Sequence, residues 1–304
     1  MQVIRALLSR IRRRASGAGW AAEYGGAYRS ADETTRFAIN EIRRIGGYIG
    51  GLDRLHGRSF LEIGPGMDLG VPLLAAGFGA ESYAIDRYPC PFDPKVHPEV
   101  YRLLIARAKD ELPGFDPTPV EECLAAGAHR ARRLHWHDCG LEDLRGVPDA
   151  GIHVTYSNAT FEHLADARVA IEALHGCTAP GGVGFHQIDF RDHRDFSRPL
   201  EYLTLAPEQF DALFRGCSGS CGNAVRGQEF EALARAAGFE AAMIGNMFAP
   251  DDYVADIRAR AHPRCRDWPR EWFATISGRL VVRRPGPRLF DLSFDGGGDP
   301  LSRG

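Results

Sequence analysis

The feature that most constrains this chain is an alternation that begins near residue 58. Seven short apolar runs recur between helical stretches, at 59–64, 82–86, 133–138, 152–158, 182–189, 239–245 and 278–284. Runs of strand length separated by enough chain for a crossover helix predict an α/β fold: a mostly parallel sheet with helices on both faces. Three helical segments are predicted between them. The first, 69–78, stops before Gly79. The second, 162–177, is followed by Pro180-Gly181-Gly182, and the third, 227–237, is ended by Gly238. Another helical stretch falls within 246–277. Two connections, 87–132 and 190–226, are too long for simple crossovers, and excursions of that length in α/β domains usually act as lids or binding elements. The expected organisation is an N-terminal helical cap at 1–57, a domain at 58–284 with those two insertions, and a C-terminal tail at 285–304.

Composition narrows the function classes. The 304 residues are 44% hydrophobic, enough for a sizeable core, and a net charge of -3 gives no global pull towards nucleic acid or an anionic membrane. No basic face interleaved with aromatics stands out, so nucleic acid is not an expected partner. Seven cysteines, odd in number and scattered, with no signal peptide, point to reduced thiols in a cytoplasm. Cys217 and Cys221 are the only close pair, and no second pair of zinc-site spacing accompanies them. In residues 1–14, Val3, Ile4, Leu7, Leu8 and Ile11 share a helical face. A helix docked on the protein's own body is preferred there to one resting on a membrane surface.

The chemistry begins at "FLEIGPGMDLG", residues 60–70. Glu62 stands two residues ahead of Gly64-Pro65-Gly66, at the end of the first strand. Glycines in that turn let a ligand approach the main chain without meeting a Cβ, and ligands in open parallel sheets bind beyond the carboxyl ends of strands. Asp86 ends the second strand, where an acid accepts hydrogen bonds from the hydroxyls of a ribose. A dinucleotide fits this far, but three details turn away from it. Leu69 replaces the third glycine, Pro65 removes an amide donor, and Glu62 would place a negative charge near a pyrophosphate. An acid there suits a ligand with a cationic group, such as the ammonium of an amino acid.

In these residues the chain resembles class I S-adenosylmethionine-dependent methyltransferases. Glu62-Ile63-Gly64-Pro65-Gly66 resembles that family's E/D-x-G-x-G motif, with Asp86, and Arg87 beside it, at the ribose. "HDCGLEDL" at 137–144 resembles the segment in which Asp138 would receive the adenine amino group and Cys139 offer its backbone. "SNATFEHLAD" at 157–166 resembles the signature after the fourth strand, and places Asn158 at the cofactor. "APGG" at 179–182 resembles the turn before the fifth strand, with Ala in place of Lys. The resemblance covers 58–190 firmly and 223–240 more loosely. It implies a Rossmann-like seven-stranded sheet whose last strand is antiparallel, and S-adenosyl-L-methionine as cofactor. Some members that it resembles serve bacterial natural-product or surface-glycan pathways.

Methyl transfer to a hydroxyl needs a base for the acceptor's proton. His163 follows the fourth strand, and "HQIDFRDHRDF" at 186–196 closes the fifth with His186, Asp189, Arg191, Asp192 and His193. His193, oriented by Asp189, is the favoured base, with His186 and His163 behind it; a loop of structural ion pairs is the competing reading. A divalent metal on Asp189, Asp192 and His193 would want a further acidic pair, so no metal is expected. Arg191 and Arg226 are candidates for gripping an anionic acceptor. Tyr88 is a candidate wall of the cleft, as are Tyr24, Tyr28, Phe92 and Tyr101. O-methylation of a small molecule or sugar is the expected activity. Its alternatives are N-methylation, a non-catalytic partner-binding relative, and an NAD(P)-linked oxidoreductase.

Overall fold

The computed structural model describes residues 30–66, 68–216, 222–294 and 298–303. The amphipathic run 1–14, Tyr24, Tyr28 and the Cys217–Cys221 pair lie outside them. Strands β1 (Ser59–Ile63), β2 (Glu81–Asp86), β3 (Leu134–Asp138), β4 (Ile152–Asn158), β5 (Thr178–Asp189), β6 (Glu240–Phe248) and β7 (Thr275–Arg283) form one sheet. Their order is β3-β2-β1-β4-β5-β7-β6, parallel except where β7 runs antiparallel between β5 and β6. The seven expected strands are all present. The Pro-Gly-Gly expected as a turn instead lies inside β5. Gly181 takes a φ of 77° there, and a Cβ on it would fall 1.8 Å from the Pro287 carbonyl oxygen, so only glycine fits.

Alternation along the strands sorts the two helical layers. Phe60, Ala84, Val154, Tyr156, Phe185 and Val281 face one layer, which holds α1 (Ala31–Ile49), α2 (Gly70–Gly77), α3 (His97–Glu111) and α4 (Thr118–Ala126). Leu61, Ile63, Ile85, Ile188, Leu280 and Val282 face the other, with α5 (Ala167–Cys177) and α7 (Gly227–Ala236). Helix α6 spans Pro207–Gly216. The α1 helix starts on a reciprocal Ser30–Glu33 capping box and ends at Gly50 in the left-handed conformation. It buries Ala38, Ile39, Ile42, Ile45 and Ile49. It therefore belongs to a layer on the sheet face and is not a cap over one end.

The insertion 87–132 departs from expectation in the same way. Its helices α3 and α4 complete the first layer, burying Val100, Tyr101, Leu104 and Val120, and are no lid. The second insertion does form a separate unit. Leu200, Tyr202, Leu203 and Phe210 pack with Ala249, Val254, Ile257, Cys265, Phe273 and Ile276 in a small core of their own. Its other half comes from α8 (Asp251–Arg260) and the helical turns up to residue 274, which the sequence reading did not group with it.

Candidate active site

The chain winds outward in opposite directions from the neighbouring strands β1 and β4, so a crevice opens at their carboxyl ends. Two loops meet there. Gly64 and Gly66 take φ of 70° and 74°, and a Cβ on Gly64 would lie 2.5 Å from Thr160 Oγ1. The Thr160 hydroxyl in turn donates to the Ile63 carbonyl at 3.1 Å. Gly64 thus lets the loop after β1 seat against the loop after β4. A Cβ on Gly66 would meet nothing within 4 Å, which leaves its main chain open to a ligand. Ala159, a non-glycine residue at φ 53°, holds the facing loop in a sparsely populated conformation, of the kind that concentrates at functional sites.

Glu62 is 4% exposed, and its Oε2 has no hydrogen-bond partner. Burial, with the charges of Asp68, Glu41 and Asp86 nearby, pushes its carboxyl well above the usual range. A buried carboxylate with an unused oxygen is costly unless a cation meets it. Asp86 accepts the amides of Tyr88, at 2.7 Å, and of Gly66. Burial lifts its pKa to about 6 in spite of those bonds. Asp138 is exposed and pairs in register with Asp86 across β2 and β3. The crevice thus gathers Glu62, Gly64, Pro65, Gly66, Asp86, Asp138 and Asn158 as expected.

Two of the expected cofactor contacts are engaged elsewhere. The Cys139 amide donates to the His137 carbonyl at 3.1 Å, so the backbone donor assigned to it is already in use. Arg87 pairs with Glu142 at 2.7 Å, bridging the loops after β2 and β3. Tyr88, two residues beyond Asp86, is 52% exposed.

The second group of candidate residues lies where β5 leaves the sheet. Arg191 grips Asp189 with Nε and Nη2 at 2.5–3.0 Å. His193 Nε2 lies 3.6 Å from Asp189 Oδ2, a charge contact slightly too long for a hydrogen bond. Burial works against the Asp189 carboxylate, but His193 and Arg191 outweigh it and hold its pKa well below the usual range. The His163 ring lies 5.1 Å from that of His193. His193 is largely buried, with Nδ1 unpartnered against Gly222, whereas His163 is exposed.

Three expectations fail here for physical reasons. His186 is fully buried on the opposite sheet face, held by Ser157 Oγ at 3.0 Å and stacked on Phe161 at 4.5 Å. Burial lowers its pKa to about 3, so it is a neutral core residue and not a base. Arg226 is fully buried too, donating to the Tyr202 hydroxyl and to the carbonyls of Trp272, Phe273 and Thr275. It clamps the small core to the sheet and grips no acceptor. Asp192, weighed as a metal ligand, is occupied by Arg194 through both oxygens.

Two residues escaped the sequence reading. Glu162, 2% exposed, sits beside His163 with neither carboxylate oxygen in a hydrogen bond of good geometry, and burial raises its pKa to about 8. Asn223 donates its side-chain amide to the carbonyls of Phe161 and Leu164 and so fixes the turn that carries Glu162 and His163. The first follows in sequence from "FEHLAD", where its spacing placed it without showing its burial. The second gave no signal beyond its place in "NAVRG". A concavity of about 660 Å³ near His56, Phe78 and Arg133 lies at the amino ends of the strands, away from this chemistry.

Antiparallel β7 between β5 and β6 separates this sheet from the all-parallel dinucleotide fold. That seven-stranded order, with its last strand antiparallel, is the one that the resemblance to class I methyltransferases implied. No protein-family model matches the chain, and no curated protein does. Solved structures similar to it include an S-adenosylmethionine-dependent methyltransferase from Mesorhizobium loti, 18% identical over 76% of this chain and 93% of that one, with TM-score 0.43. YcgJ of Bacillus subtilis is 13% identical over 82% and 99%, also with TM-score 0.43. Phosphoethanolamine N-methyltransferase 2 of Haemonchus contortus, solved with phosphomonomethylethanolamine and S-adenosylhomocysteine, is 12% identical over 82% and 52%, at 0.43. Among the described residues, no helix is long and apolar enough to cross a membrane.

Proposed function

We propose that this protein transfers a methyl group from S-adenosylmethionine to a hydroxyl of a small molecule or sugar. The observation that carries the cofactor is the buried, half-unpartnered Glu62 carboxylate, set beside a glycine loop with an open face and an acid at the end of β2. In this reading Glu62 meets the ammonium of the cofactor's amino acid, Asp86 takes the ribose hydroxyls, and Asp138 takes the adenine amino group. The bound cofactor supplies an electrophilic methyl on a sulfonium. The chain's own part is to hold the acceptor in line with that methyl, to exclude water, and to accept a proton. His163, His193 and Asp189 stand at the end of β5, where an acceptor oxygen would arrive. Arg191, with its guanidinium 4.4 Å over the Phe196 ring, offers a positive edge to an anionic acceptor. The five described cysteines are all buried with no disulfide among them, which favours a reducing compartment, the cytoplasm.

Calorimetric titration with S-adenosylhomocysteine, with NAD as control, tests the cofactor. Tight binding of the first alone supports the reading; binding of NAD alone would replace it with an oxidoreductase. An amine acceptor is the second reading, and the buried Glu162 carboxyl favours it: an ammonium must lose a proton before its nitrogen can attack, and a carboxylate beside it can take that proton.

A further inference from the structure

Glu162, His163 and His193 each present one donor atom within 4.8 Å of the other two. Proximity alone would mean little, but Glu162 is 2% exposed, with the backbone amides of Glu162 and Asp189 near its carboxylate and no hydrogen bond of good geometry to either oxygen, and His193 keeps a buried Nδ1 with no hydrogen bond. A carboxylate withdrawn from water with neither oxygen fully satisfied is a standing cost, which a cation offsets. We infer that Glu162, His163 and His193 hold a divalent cation of the zinc–cobalt class, which fixes the acceptor oxygen at the carboxyl end of β5.

The donor set selects the ion. Two imidazoles and one carboxylate suit borderline cations, whereas magnesium and calcium prefer oxygen ligands throughout. Three protein donors leave coordination positions open, the arrangement that catalytic sites keep and structural sites close. The supporting shell is also present. Asp189 Oδ2 lies 3.6 Å from His193 Nε2, a carboxylate behind an imidazole. Asn223 pins the carbonyls on either side of Glu162 and His163, so both donors sit on a rigid turn. Asp189 and Asp192 are already neutralised by Arg191 and Arg194, and so leave the cation to the other three. An acceptor hydroxyl on the ion would lose its proton more readily, the proton passing to solvent, and both imidazoles would then act as ligands and not as bases.

A second group, Cys90, His97 and His129, also clusters within 4.8 Å. His97 Nδ1 accepts the Asp93 amide at 2.7 Å, which leaves the neutral ring's proton on Nε2, facing the Cys90 sulfur at 3.7 Å. That nitrogen has no lone pair for a metal, so the first group is the better site.

The inference rests on reading this edge as the acceptor end of a methyltransferase, and the test keeps the two apart. Metal-stripped full-length protein is titrated with cobalt(II) and followed by its visible bands, while S-adenosylhomocysteine binding is measured on the same samples. The expected result is one cobalt bound without a thiolate charge-transfer band. Affinity should fall by more than about tenfold in Glu162→Gln and in His163→Gln, while both variants still bind S-adenosylhomocysteine. The first substitution is isosteric and the second is on an exposed residue, so loss of folding is not anticipated in both. No cobalt binding, with S-adenosylhomocysteine bound, overturns the ion and spares the methyltransferase. Cobalt bound as described, with no S-adenosylhomocysteine, supports the ion site and removes the methyltransferase reading. Cobalt affinity unchanged in both variants, or a thiolate band lost in Cys90→Ala, overturns the assignment.

Discussion

At Asp86 the needs of the unliganded fold and of the ligand oppose each other. Burial holds its pKa near 6, above its ordinary value, with Asp138 adding to the rise. A carboxyl whose folded pKa is raised contributes most to stability below its unfolded pKa, and that contribution is lost as pH rises through the folded value. Asp86→Asn should therefore stabilise the unliganded protein by roughly 1–3 kcal/mol at about pH 7.5 and give little gain near pH 3.5. Urea midpoints at the two pH values check both signs. On the proposed reading the same substitution removes the charged acceptor for ribose, so S-adenosylhomocysteine affinity should drop about tenfold to a hundredfold in calorimetry. Wild-type affinity should itself weaken as pH falls below about 6, because binding then requires the carboxyl to ionise first. At Gly64 the demand is steric. Gly64→Ala puts a Cβ into Thr160 at positive φ, and should cost about 1–3 kcal/mol, read as a lowered thermal midpoint.

Between elements, the largest single commitment is Arg226 at the head of α7. Its guanidinium bonds to the Tyr202 hydroxyl and three carbonyls between residues 272 and 275 while lying 5.3 Å from the Phe190 ring. Arg226→Met would keep the apolar bulk and leave those acceptors without a donor. A loss of about 2–4 kcal/mol is expected, with limited proteolysis cutting within 190–216 or 249–274 before the sheet. Cleavage in the sheet first would mean that Arg226 does not tether that unit. Asn223 acts on the turn and touches neither ligand. Asn223→Ala should therefore lower turnover while leaving S-adenosylhomocysteine affinity within about twofold, a split that a general loss of folding would not give.

For the whole molecule, the crevice at the switch from β1 to β4 makes ligand binding a stability measurement. Only the folded chain brings Glu62, Asp86 and Asp138 together, since they lie on three different strands. S-adenosylhomocysteine at a hundredfold over its dissociation constant should add about 2.7 kcal/mol to unfolding. Its thermal midpoint should therefore rise by several degrees while NAD leaves it unmoved. A shift with NAD alone would restore the oxidoreductase reading.

The strand order along the chain, the glycine turn after β1 and the acid ending β2 were legible because each is local. Apolar period, a Gly-Pro-Gly loop and a strand-end carboxylate depend on near neighbours in the chain. Residue type could not say which surroundings a side chain meets. Three histidines near β4 and β5 read alike in sequence, yet His186 lies in the core, His193 is largely buried and His163 is exposed. Alternation did place His186 on the face opposite Asp189, but the Phe161 and Ser157 that enclose it come from distant chain. Arg226, one of many arginines, was read as a ligand grip; the carbonyls that surround it belong to residues nearly fifty positions away. Glu162 became conspicuous only once the fold buried it with no well-formed hydrogen bond to either oxygen. Local pattern was enough for the sheet and for the glycine turn after β1. Which polar groups are satisfied depended on the folded chain, because solvation and partners are properties of the assembled interior.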